Sequence, residues 1–390
     1  MTSVARIEVL TAELPFRFSF GHALAERRSS TNVFVRLSLD DGCVGWGEGV
    51  PRDYVTGETV EGTVEALTRH LAPALLGATI AKPEDVPAAM EGAVEATAPA
   101  AQGGLRQAAT CALELSLLDA CGRSLGRSVR DWLRPVSTAE VRYDAVIPFG
   151  SPRKLAAVAL AIRLLRIRQV KIKVGADLER DLEALRILRR LLPRDTDLRV
   201  DANCAWGADE ALAALARMRP YRVSAVEQPV PGGDREGLRR VTAGTPEAII
   251  VDESLRTVEE AESLAAERAC DAFNIRVSKC GGLLGSWRIA QIATRAGLDC
   301  VVGAQVGESG ILSAAARHLA ACIGSPRYLE GSAGRLLLKE DVTVENVLPG
   351  WGGRARTYDG PGLGVRVKED VLRGHAQVRA VLEAEALPSP

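Results

Sequence analysis

From residue 141 onward, short apolar runs rich in β-branched residues alternate with helical stretches, and the centres of eight such runs lie about 26 residues apart. A strand, a helix and their two loops occupy roughly 20–30 residues, so each interval holds one βα unit. Eight units in succession predict a parallel (β/α)₈ barrel, an α/β fold. The runs are 141–149, 170–174, 198–203, 223–229, 248–254, 272–279, 299–306 and 328–331. An open doubly wound sheet is the alternative, but it places its ligand near one switch point, whereas polar residues here end many runs.

The residues before the barrel follow a different pattern. ARIEVLTAEL and NVFVRLSLDDGCVGWGEG alternate apolar and polar residues, and DDG between the strand halves is a hairpin signal. Helical periodicity follows near 57–77, 83–95 and 105–125. The Gly- and Pro-rich segment after residue 345 is expected to return to these elements. We therefore expect an α+β capping domain over 1–130, a catalytic barrel over 131–345, and a C-terminal segment over 346–390 that completes the capping domain.

Composition excludes several classes of partner. The 49 Lys and Arg balance 50 Asp and Glu, which argues against a nucleic-acid binder held by bulk positive charge. No run approaches the roughly 18 apolar residues of a membrane helix, and the N-terminus lacks the apolar stretch of a signal peptide. The eight cysteines show neither a CxxC pair nor zinc-ligand spacing, so they indicate a reducing compartment. We expect a cytoplasmic homo-oligomer without membrane or nucleic-acid partners.

Charged residues recur at the ends of five consecutive barrel strands. They are Lys173, Asp201, Glu227, Asp252 and Lys279, one βα unit apart in each case. A single acid at such a position is usually a solvated loop charge. Barrel active sites are built from the carboxyl ends of the strands, however, and five charges in the same structural phase indicate such a site.

The three acids lie on the third, fourth and fifth predicted strands, which are neighbours. Three converging carboxylates repel one another unless a cation lies between them. Oxygen donors without His or Cys suit a hard divalent ion, so Asp201, Glu227 and Asp252 are predicted to bind Mg²⁺ or Mn²⁺.

The two lysines lie on the second and sixth strands, which are opposed in a ring of eight. A cation on a substrate carboxylate stabilises the enediolate that forms when the α-proton leaves, and a lysine nearby can take that proton. Lys171 points to the same side as Lys173, and each is expected to disfavour the other's charge. One lysine on each face of a small-molecule carboxylate permits proton removal from one side and return from the other.

The ordered motifs KIK (171–173), DAN (201–203), EQP (227–229), DES (252–254) and KCGG (279–282) resemble the enolase superfamily in its muconate lactonizing enzyme subgroup. GWGEG (45–49), TGET (56–59) and PGLGV (361–365) look like the same family, so the resemblance spans nearly the whole chain. It implies that the three acids hold Mg²⁺, that Lys173 and Lys279 form the acid/base pair, and that Lys171 helps to hold the substrate carboxylate. Asn203 is expected beside the metal ligands rather than among them, and Glu253 is in the wrong strand phase for a ligand.

Substrate contacts are harder to assign. In this family two loops of the capping domain close over the barrel, and here they would span about 18–30 and 50–57. The candidate contacts in these loops are Phe20, His22, Arg52, Asp53 and Tyr54. Alternatively, His22 has an ordinary surface or structural role, and Arg52 and Asp53 form an ion pair with each other.

The seventh and eighth strands depart from the sequence pattern of that family. The seventh carries Gln305 and Glu308 in GAQVGESG, where relatives often have Met-x-Glu, and Glu308 is expected to line the site. Much of the N-terminal pattern is similar to dipeptide epimerases, but their strand-eight Asp-x-Asp is replaced here by YLEGS (328–332). Glu330 is expected to contact a polar substrate or to satisfy a nearby backbone group. Arg276, judged by strand phase, is expected to pair with an acid in the helix layer.

These expectations converge on an enzyme that abstracts a proton α to a carboxylate through a metal-stabilised enediolate. Racemisation or epimerisation of an amino-acid derivative is the leading reaction. Cycloisomerisation of the muconate type and acid dehydration use the same groups and remain alternatives. A barrel that binds without catalysis is a more remote alternative, because all five charged groups are present.

Overall fold

The computed structural model describes residues 1–22, 25–97, 105–133, 137–148 and 150–384. Its N-terminal region is an antiparallel sheet of long strands, numbered in chain order with those that follow. The strands are β1 (Thr2–His22), β2 (Ala25–Leu39) and β3 (Val44–Gly49), with the short β4 (Thr79–Ile80) paired to the start of β1. The DDG hairpin is confirmed, because β2 and β3 pair antiparallel across a turn in which Gly42 has a φ of +87°. The last strand, β15 (Ala376–Glu383), pairs with the free edge of β1.

In the described part of the chain, five α-helices come between β3 and the first barrel strand in sequence. They are α1 (Asp53–Thr56), α2 (Val60–Ala66), α3 (Ala72–Leu75), α4 (Asp85–Thr97) and α5 (Gln107–Ser124). The single helix predicted over 57–77 is divided, because a π-helical turn at Leu67–Leu71 joins α2 to α3. The short α1, which ends at Gly57 with a φ of +76°, has no counterpart in the sequence prediction.

A stripe of glycines on β3 brings α5 into backbone contact with the sheet. A Cβ at Gly45, Gly47 or Gly49 would lie 1.9–2.2 Å from backbone atoms of α5. The α5 residues that they meet, Ala108, Ala112, Ser116 and Ala120, are spaced four apart along one helix face. The GWGEG motif therefore exists because every second residue of β3 must lack a side chain.

The barrel is a sheet of eight parallel strands in chain order, as the sequence predicts. The strands are β6 (Ala145–Ile147), β7 (Gln169–Lys173), β8 (Asp197–Asp201), β9 (Val223–Glu227), β10 (Ala248–Val251), β11 (Ala272–Ile275), β12 (Asp299–Val302) and β13 (Tyr328–Leu329). The Asp144 N–H donates to the Leu329 carbonyl at 2.8 Å and closes the ring between its first and last strands. The first predicted run is broken in two, because Glu140–Arg142 (β5) pairs outside the barrel with Arg354–Arg356 (β14).

Helices follow the barrel strands and cover their outer faces. They are α6 (Pro152–Leu164), α7 (Leu178–Leu191), α8 (Ala208–Met218), α9 (Arg235–Gly244), α10 (Val258–Ala266), α11 (Leu283–Ala296) and α12 (Gly310–Ile323). Two short helices come later in the chain, α13 (Gly334–Leu337) and α14 (Glu369–His375), and both contact β1 of the N-terminal sheet. Several begin with a side-chain cap, such as Asp177 before α7 and Thr257 before α10. Among the described residues, no helix is long and apolar enough to cross a membrane.

Two buried carboxylates of the N-terminal region hold the starts of two barrel helices. Glu114 of α5 accepts the N–H groups of Leu283 (2.6 Å) and Leu284 (3.1 Å) at the start of α11. Glu48 of β3 accepts those of Ser309 (2.9 Å) and Leu312 (3.2 Å) at the start of α12. The first amides of a helix have no partner within it, and the helix dipole favours a negative group there. These contacts therefore bind the N-terminal region to the sixth and seventh βα units.

Candidate active site

The charged residues at the strand ends point into the barrel. Alternation along five of the strands places mainly apolar residues at the bottom of the interior, where Ala225, Ile250, Ala272, Val301 and Tyr328 pack together. Two residues further along, four of these five strands carry a polar residue, namely Glu227, Asp252, Asn274 and Glu330. All five charged residues predicted from the strand ends lie in this upper part, and four of them are completely buried.

Asp201, at the end of β8, lies beside both lysines of β7. Its Oδ2 atom is 2.7 Å from Lys173 Nζ and 3.4 Å from Lys171 Nζ. Burial opposes ionisation of Asp201, but the two lysines hold its pKa below the ordinary value. Lys173 also donates to Asn203 Oδ1 at 2.5 Å, and the Asn203 amide in turn donates to Glu253 at 3.2 Å. Asn203 therefore lies beside the predicted ligands, as expected.

Glu227, at the end of β9, is surrounded by donors from two other strands. Lys171 Nζ lies 3.1 Å from both of its carboxylate oxygens, and Asn274 Nδ2 donates to Oε1 at 2.9 Å. Burial, together with the Asp201 carboxylate, raises the pKa of Glu227 to about 8. Burial alone would lower the pKa of Lys171, but the carboxylates around it outweigh burial and raise that pKa above its ordinary value. The pKa of Lys171 is therefore not lowered, in contrast to what its position beside Lys173 led us to expect.

Asp252 follows β10 directly and is paired with two cations. Lys279 Nζ lies 2.9 Å from its Oδ1 and donates to its carbonyl at 2.6 Å, and the Arg276 guanidinium contacts its Oδ2. Arg276 also lies 3.8 Å from Glu227, so it bridges two of the three predicted metal ligands. The prediction that Arg276 pairs in the helix layer is wrong. β11 ends at Ile275, so Lys279 lies in the following turn and its position gives no measure of strand phase.

That turn contains two glycines with positive φ, Gly281 at +77° and Gly282 at +106°. A Cβ on either would also collide with α5, at Gln107 or at Glu114. The glycines of the KCGG motif therefore permit both the turn after Lys279 and the close approach of α5.

Glu330, after β13, lies deep in the polar interior. Its Oε1 is 2.6 Å from Lys171 Nζ and also contacts the Arg199 guanidinium. Arg199 Nη1 also lies 2.6 Å from Asp144 Oδ2. The Arg199 guanidinium stacks over the Tyr328 ring, with its central carbon 4.0 Å from the ring centre. Neither role expected for Glu330 describes this arrangement, because it pairs with two buried cations. Sequence reasoning missed Arg199 and Asp144, although Arg199 is in phase with Asp201.

These contacts join into one buried network that contains one more carboxylate than cations. The carboxylates are Asp144, Asp201, Glu227, Asp252, Glu253 and Glu330, and the cations are Lys171, Lys173, Arg199, Arg276 and Lys279. Burial and the neighbouring Asp252 also raise the pKa of Glu253 to about 7. With every carboxyl ionised, the network would carry one negative charge that its own cations do not balance, and the raised pKa values of Glu227 and Glu253 reduce that excess.

The three predicted ligands fit a hard divalent ion in the kind of donor that they offer. They are carboxylates on three adjacent strands, and each is completely buried. As they stand, each is paired with a cationic side chain, and no three His, Cys, Asp or Glu of the described residues are grouped as a metal site. An ion would therefore be held by Asp201, Glu227 and Asp252 in competition with the cationic side chains. Two of these cations each contact two of the acids: Lys171 contacts Asp201 and Glu227, and Arg276 contacts Glu227 and Asp252.

The loops above the network come from both parts of the chain. The buried guanidinium of Arg52 donates to the carbonyls of Pro51 at 2.7 Å and Val306 at 2.9 Å, and thereby joins the 50–57 loop to the seventh barrel loop. Val50 N–H donates to Ser278 Oγ at 2.8 Å, next to Lys279.

The remaining predicted substrate contacts differ in how deeply they are buried. Glu308 is buried, accepts the Gln305 N–H at 2.7 Å, and has its pKa raised to about 8 by burial. Asp53 is exposed and Tyr54 partly exposed, both in α1. The side chains of Phe20 and His22 lie outside the described part of the structure.

Two family models match the chain. The model for the mandelate racemase / muconate lactonizing enzyme N-terminal domain matches residues 1–133, and the enolase C-terminal domain-like model matches residues 154–371. Among curated proteins, an L-Ala-D/L-Glu epimerase of Bacillus subtilis is 30% identical over 96% of this chain and 99% of its own length. A muconate cycloisomerase of Acinetobacter lwoffii is 28% identical over 95% and 96%.

Solved structures agree with these matches. The N-succinyl Arg/Lys racemase of Bacillus cereus superposes with a TM-score of 0.88 at 26% identity, covering 97% of this chain and all of that one. A dipeptide epimerase of Enterococcus faecalis, complexed with Mg and L-Leu-L-Tyr, superposes with a TM-score of 0.84 at 27% identity, covering 93% and 99%. The structure with magnesium supports Mg²⁺ as the ion of such sites, whereas Mn²⁺ has no comparable support.

Proposed function

Because the chain belongs to the enolase superfamily, in its mandelate racemase/muconate lactonizing enzyme subgroup, and is therefore an isomerase of that superfamily, we propose that it racemises or epimerises an amino-acid derivative. The reaction begins with removal of the proton α to the substrate carboxylate. One observation carries this proposal: Lys173 and Lys279 stand at strands four apart in the ring, with buried Asp201, Glu227 and Asp252 on the strands between them.

The roles follow from this placement. Lys173 and Lys279 approach a carbon held between them from opposite sides, so one removes the proton and the other returns it. Asp201, Glu227 and Asp252 hold Mg²⁺, which when bound neutralises the charge that develops on the substrate carboxylate. Lys171, fixed by Glu227 and Glu330, adds a buried positive charge beside that carboxylate. The water-poor interior strengthens these interactions.

Cycloisomerisation is the second candidate, and the muconate cycloisomerase relative is the observation that favours it. Two opposed lysines do not separate the reactions, because an enediolate is common to both. What separates them is whether both lysines exchange protons with the substrate carbon. Dehydration of an acid is a third use of the same groups.

The test is α-proton exchange in D₂O with Mg²⁺, followed by NMR and mass spectrometry. The substrates are N-succinyl-L-arginine, N-succinyl-L-lysine, L-Ala-L-Glu and cis,cis-muconate, because relatives act on such compounds. We expect wild-type enzyme to exchange and invert one of the amino-acid derivatives. Lys173→Ala and Lys279→Ala should each lose inversion by about 10²–10⁴-fold, the usual contribution of a general acid or base. Each variant should retain exchange with the one stereoisomer that the remaining lysine faces.

Lys154→Ala is the matched control, since Lys154 is exposed on α6. Inversion by both lysine variants at the rate of this control would refute the two-base mechanism. Full turnover by Lys279→Ala together with a dead Lys173→Ala would instead establish one-base chemistry, and cycloisomerisation or dehydration would replace racemisation. We also propose the domain division 1–130, 131–345 and 346–390, a homo-oligomeric state, and a cytoplasmic location consistent with eight free thiols.

A further inference from the structure

Two side chains form a chain of hydrogen bonds that leads away from Lys173. Lys173 Nζ donates to Asn203 Oδ1 at 2.5 Å, and Asn203 Nδ2 donates to Glu253 Oε1 at 3.2 Å. The other Glu253 carboxylate oxygen is buried and has no hydrogen-bond partner among the described residues. Asn203 is therefore the link between the Glu253 carboxyl and the lysine.

The backbone around Asn203 is held in place, which leaves its side-chain amide as the group that can turn. Asn203 has a φ of +43°, in the left-handed region that asparagine tolerates better than most residues. Its N–H donates to Asp201 Oδ1 at 3.1 Å, and the following Cys204 N–H donates to the Gln228 carbonyl at 2.9 Å. A half-turn of the amide would exchange its oxygen and its nitrogen without moving this backbone.

The orientation of the amide decides which kind of group faces Lys173. A lysine that acts as a base is a neutral amine, which has two hydrogens and one lone pair. In the observed orientation both hydrogens have acceptors, Asp201 Oδ2 at 2.7 Å and Asn203 Oδ1, so the lone pair is left for the substrate. A turned amide would present N–H groups to Lys173, and one of them would occupy the lone pair.

Lys279 is held in a different way. Its Nζ donates to the backbone carbonyls of Asp252 at 2.6 Å and Asn274 at 3.0 Å, and to Asp252 Oδ1 at 2.9 Å. A backbone carbonyl cannot turn to present a donor in its place. The two lysines therefore differ, because Lys173 has a side-chain amide as a partner whereas Lys279 has backbone carbonyls.

We infer that Glu253 is a positioning residue for Lys173: it accepts the Asn203 amide N–H and so keeps the amide oxygen facing the lysine. The inference rests on the proposed function, because it concerns the base that acts on one stereoisomer. A carboxyl group keeps an acceptor oxygen in either protonation state, whereas an apolar side chain at position 253 would accept no hydrogen bond. Glu253 should therefore support proton transfer by Lys173 and not proton transfer by Lys279.

The experiment measures α-proton exchange into D₂O with Mg²⁺, for each stereoisomer separately. The probes are N-succinyl-L-arginine with N-succinyl-D-arginine, and L-Ala-L-Glu with L-Ala-D-Glu. Lys173→Ala and Lys279→Ala first establish which stereoisomer each lysine serves. Glu253→Met should then lower kcat/KM for exchange of the Lys173 stereoisomer by about 10- to 100-fold, the usual effect of one hydrogen bond to a charged group, and should leave exchange of the other nearly unchanged.

Glu253→Gln is the conservative variant, because glutamine keeps an oxygen that can accept the Asn203 N–H. It should exchange the Lys173 stereoisomer at nearly the wild-type rate, although it carries no charge. Glu262→Met, at an exposed position of α10, is the matched control and should keep both rates. Glu253→Met should also keep the increase in melting temperature that Mg²⁺ produces, and loss of that increase would make Glu253 a metal ligand and overturn the inference.

Three results would overturn the inference and leave the proposed function standing. They are unchanged exchange by Glu253→Met, an equal loss for both stereoisomers, and a loss in Glu253→Gln as large as that in Glu253→Met. The last result would mean that the charge of the carboxylate acts on Lys173, rather than its acceptor oxygen. No exchange by the wild type with any of these probes would refute both the proposed function and the inference.

Discussion

At the scale of single residues, the central feature is the pairing of Arg276 with two of the three predicted metal ligands. The Arg276 guanidinium contacts Asp252 and lies 3.8 Å from Glu227, so it partly balances the charge that a bound ion would balance. Strand phase predicted the buried acids and Lys171 correctly, because they lie within strands or directly after them. It failed for Arg276, which directly follows the last residue of β11 and pairs with Asp252 in the barrel interior. It also missed the pairing of Glu330 with Arg199, because contacts between strands one, three and eight depend on closure of the ring.

At this scale we predict that Mg²⁺ stabilises the enzyme through the three acids. A ligand that binds only the folded state adds about 2.7 kcal/mol at a concentration 100 times its Kd, so millimolar Mg²⁺ should raise the melting temperature of EDTA-treated enzyme. Asp252→Asn should lose most of that increase. Asp209→Asn, at an exposed position of α8, should keep it. An equal increase in all three proteins would place the ion elsewhere.

At the scale of elements, the most informative contacts are those of Glu48 and Glu114 with the starts of α12 and α11. Sequence periodicity gave the helix over 105–125 and the β3 motif, but nothing in a sequence shows that a carboxylate on one element caps another element about 170 residues away. The division of the 57–77 helix by a π turn was likewise out of reach, because its residues favour an ordinary helix. Such features depend on tertiary packing rather than on local preference.

The Glu114 carboxyl should make the free energy of unfolding depend on pH. Burial raises its pKa from 4.5 to about 8, so between these values the folded protein keeps a proton that the unfolded chain has released. Unfolding then releases a proton, and the free energy of unfolding falls as pH rises through this window and levels off above it. Glu114→Gln should remove that part of the pH dependence, which amounts to about 5 kcal/mol at most over the whole window, at about 1.4 kcal/mol per pKa unit.

Urea denaturation at pH 5.5, 7 and 8.5 measures this slope. Glu262→Gln, at an exposed position of α10, is the control and should retain it. If Glu114→Gln keeps the full wild-type slope, other buried carboxyls carry the pH dependence and the assignment to Glu114 is wrong.

At the scale of the whole molecule, the N-terminal region and the barrel share one set of buried contacts. The barrel was predictable from spacing alone, because eight strand runs at nearly equal spacing admit few other folds. The way the two regions join was not, since it depends on glycines that face α5 and on polar groups that meet only in the folded chain.

We therefore predict that both regions unfold in a single transition. Trp46 lies in β3 and Trp206 lies in the loop before α8, so variants that keep one of these two as the only tryptophan of the five report on one region each. Their denaturation midpoints, followed by fluorescence, should coincide with each other and with the loss of helix by circular dichroism. Two resolved midpoints would show that the regions unfold independently.

The carboxylate contacts also determine how this architecture can be recombined. Glu48 and Glu114 fasten the N-terminal region to the sixth and seventh βα units, which carry Lys279 and Glu308, whereas Asp201, Glu227 and Asp252 belong to the first five units. A chimera with one crossover near residue 130 separates each carboxylate from the helix that it caps. A chimera that takes residues 131–270 from one parent, and everything else from another, keeps both contacts intact. The unit that these contacts hold together is thus discontinuous in the chain, and it transfers intact only when both of its pieces move together.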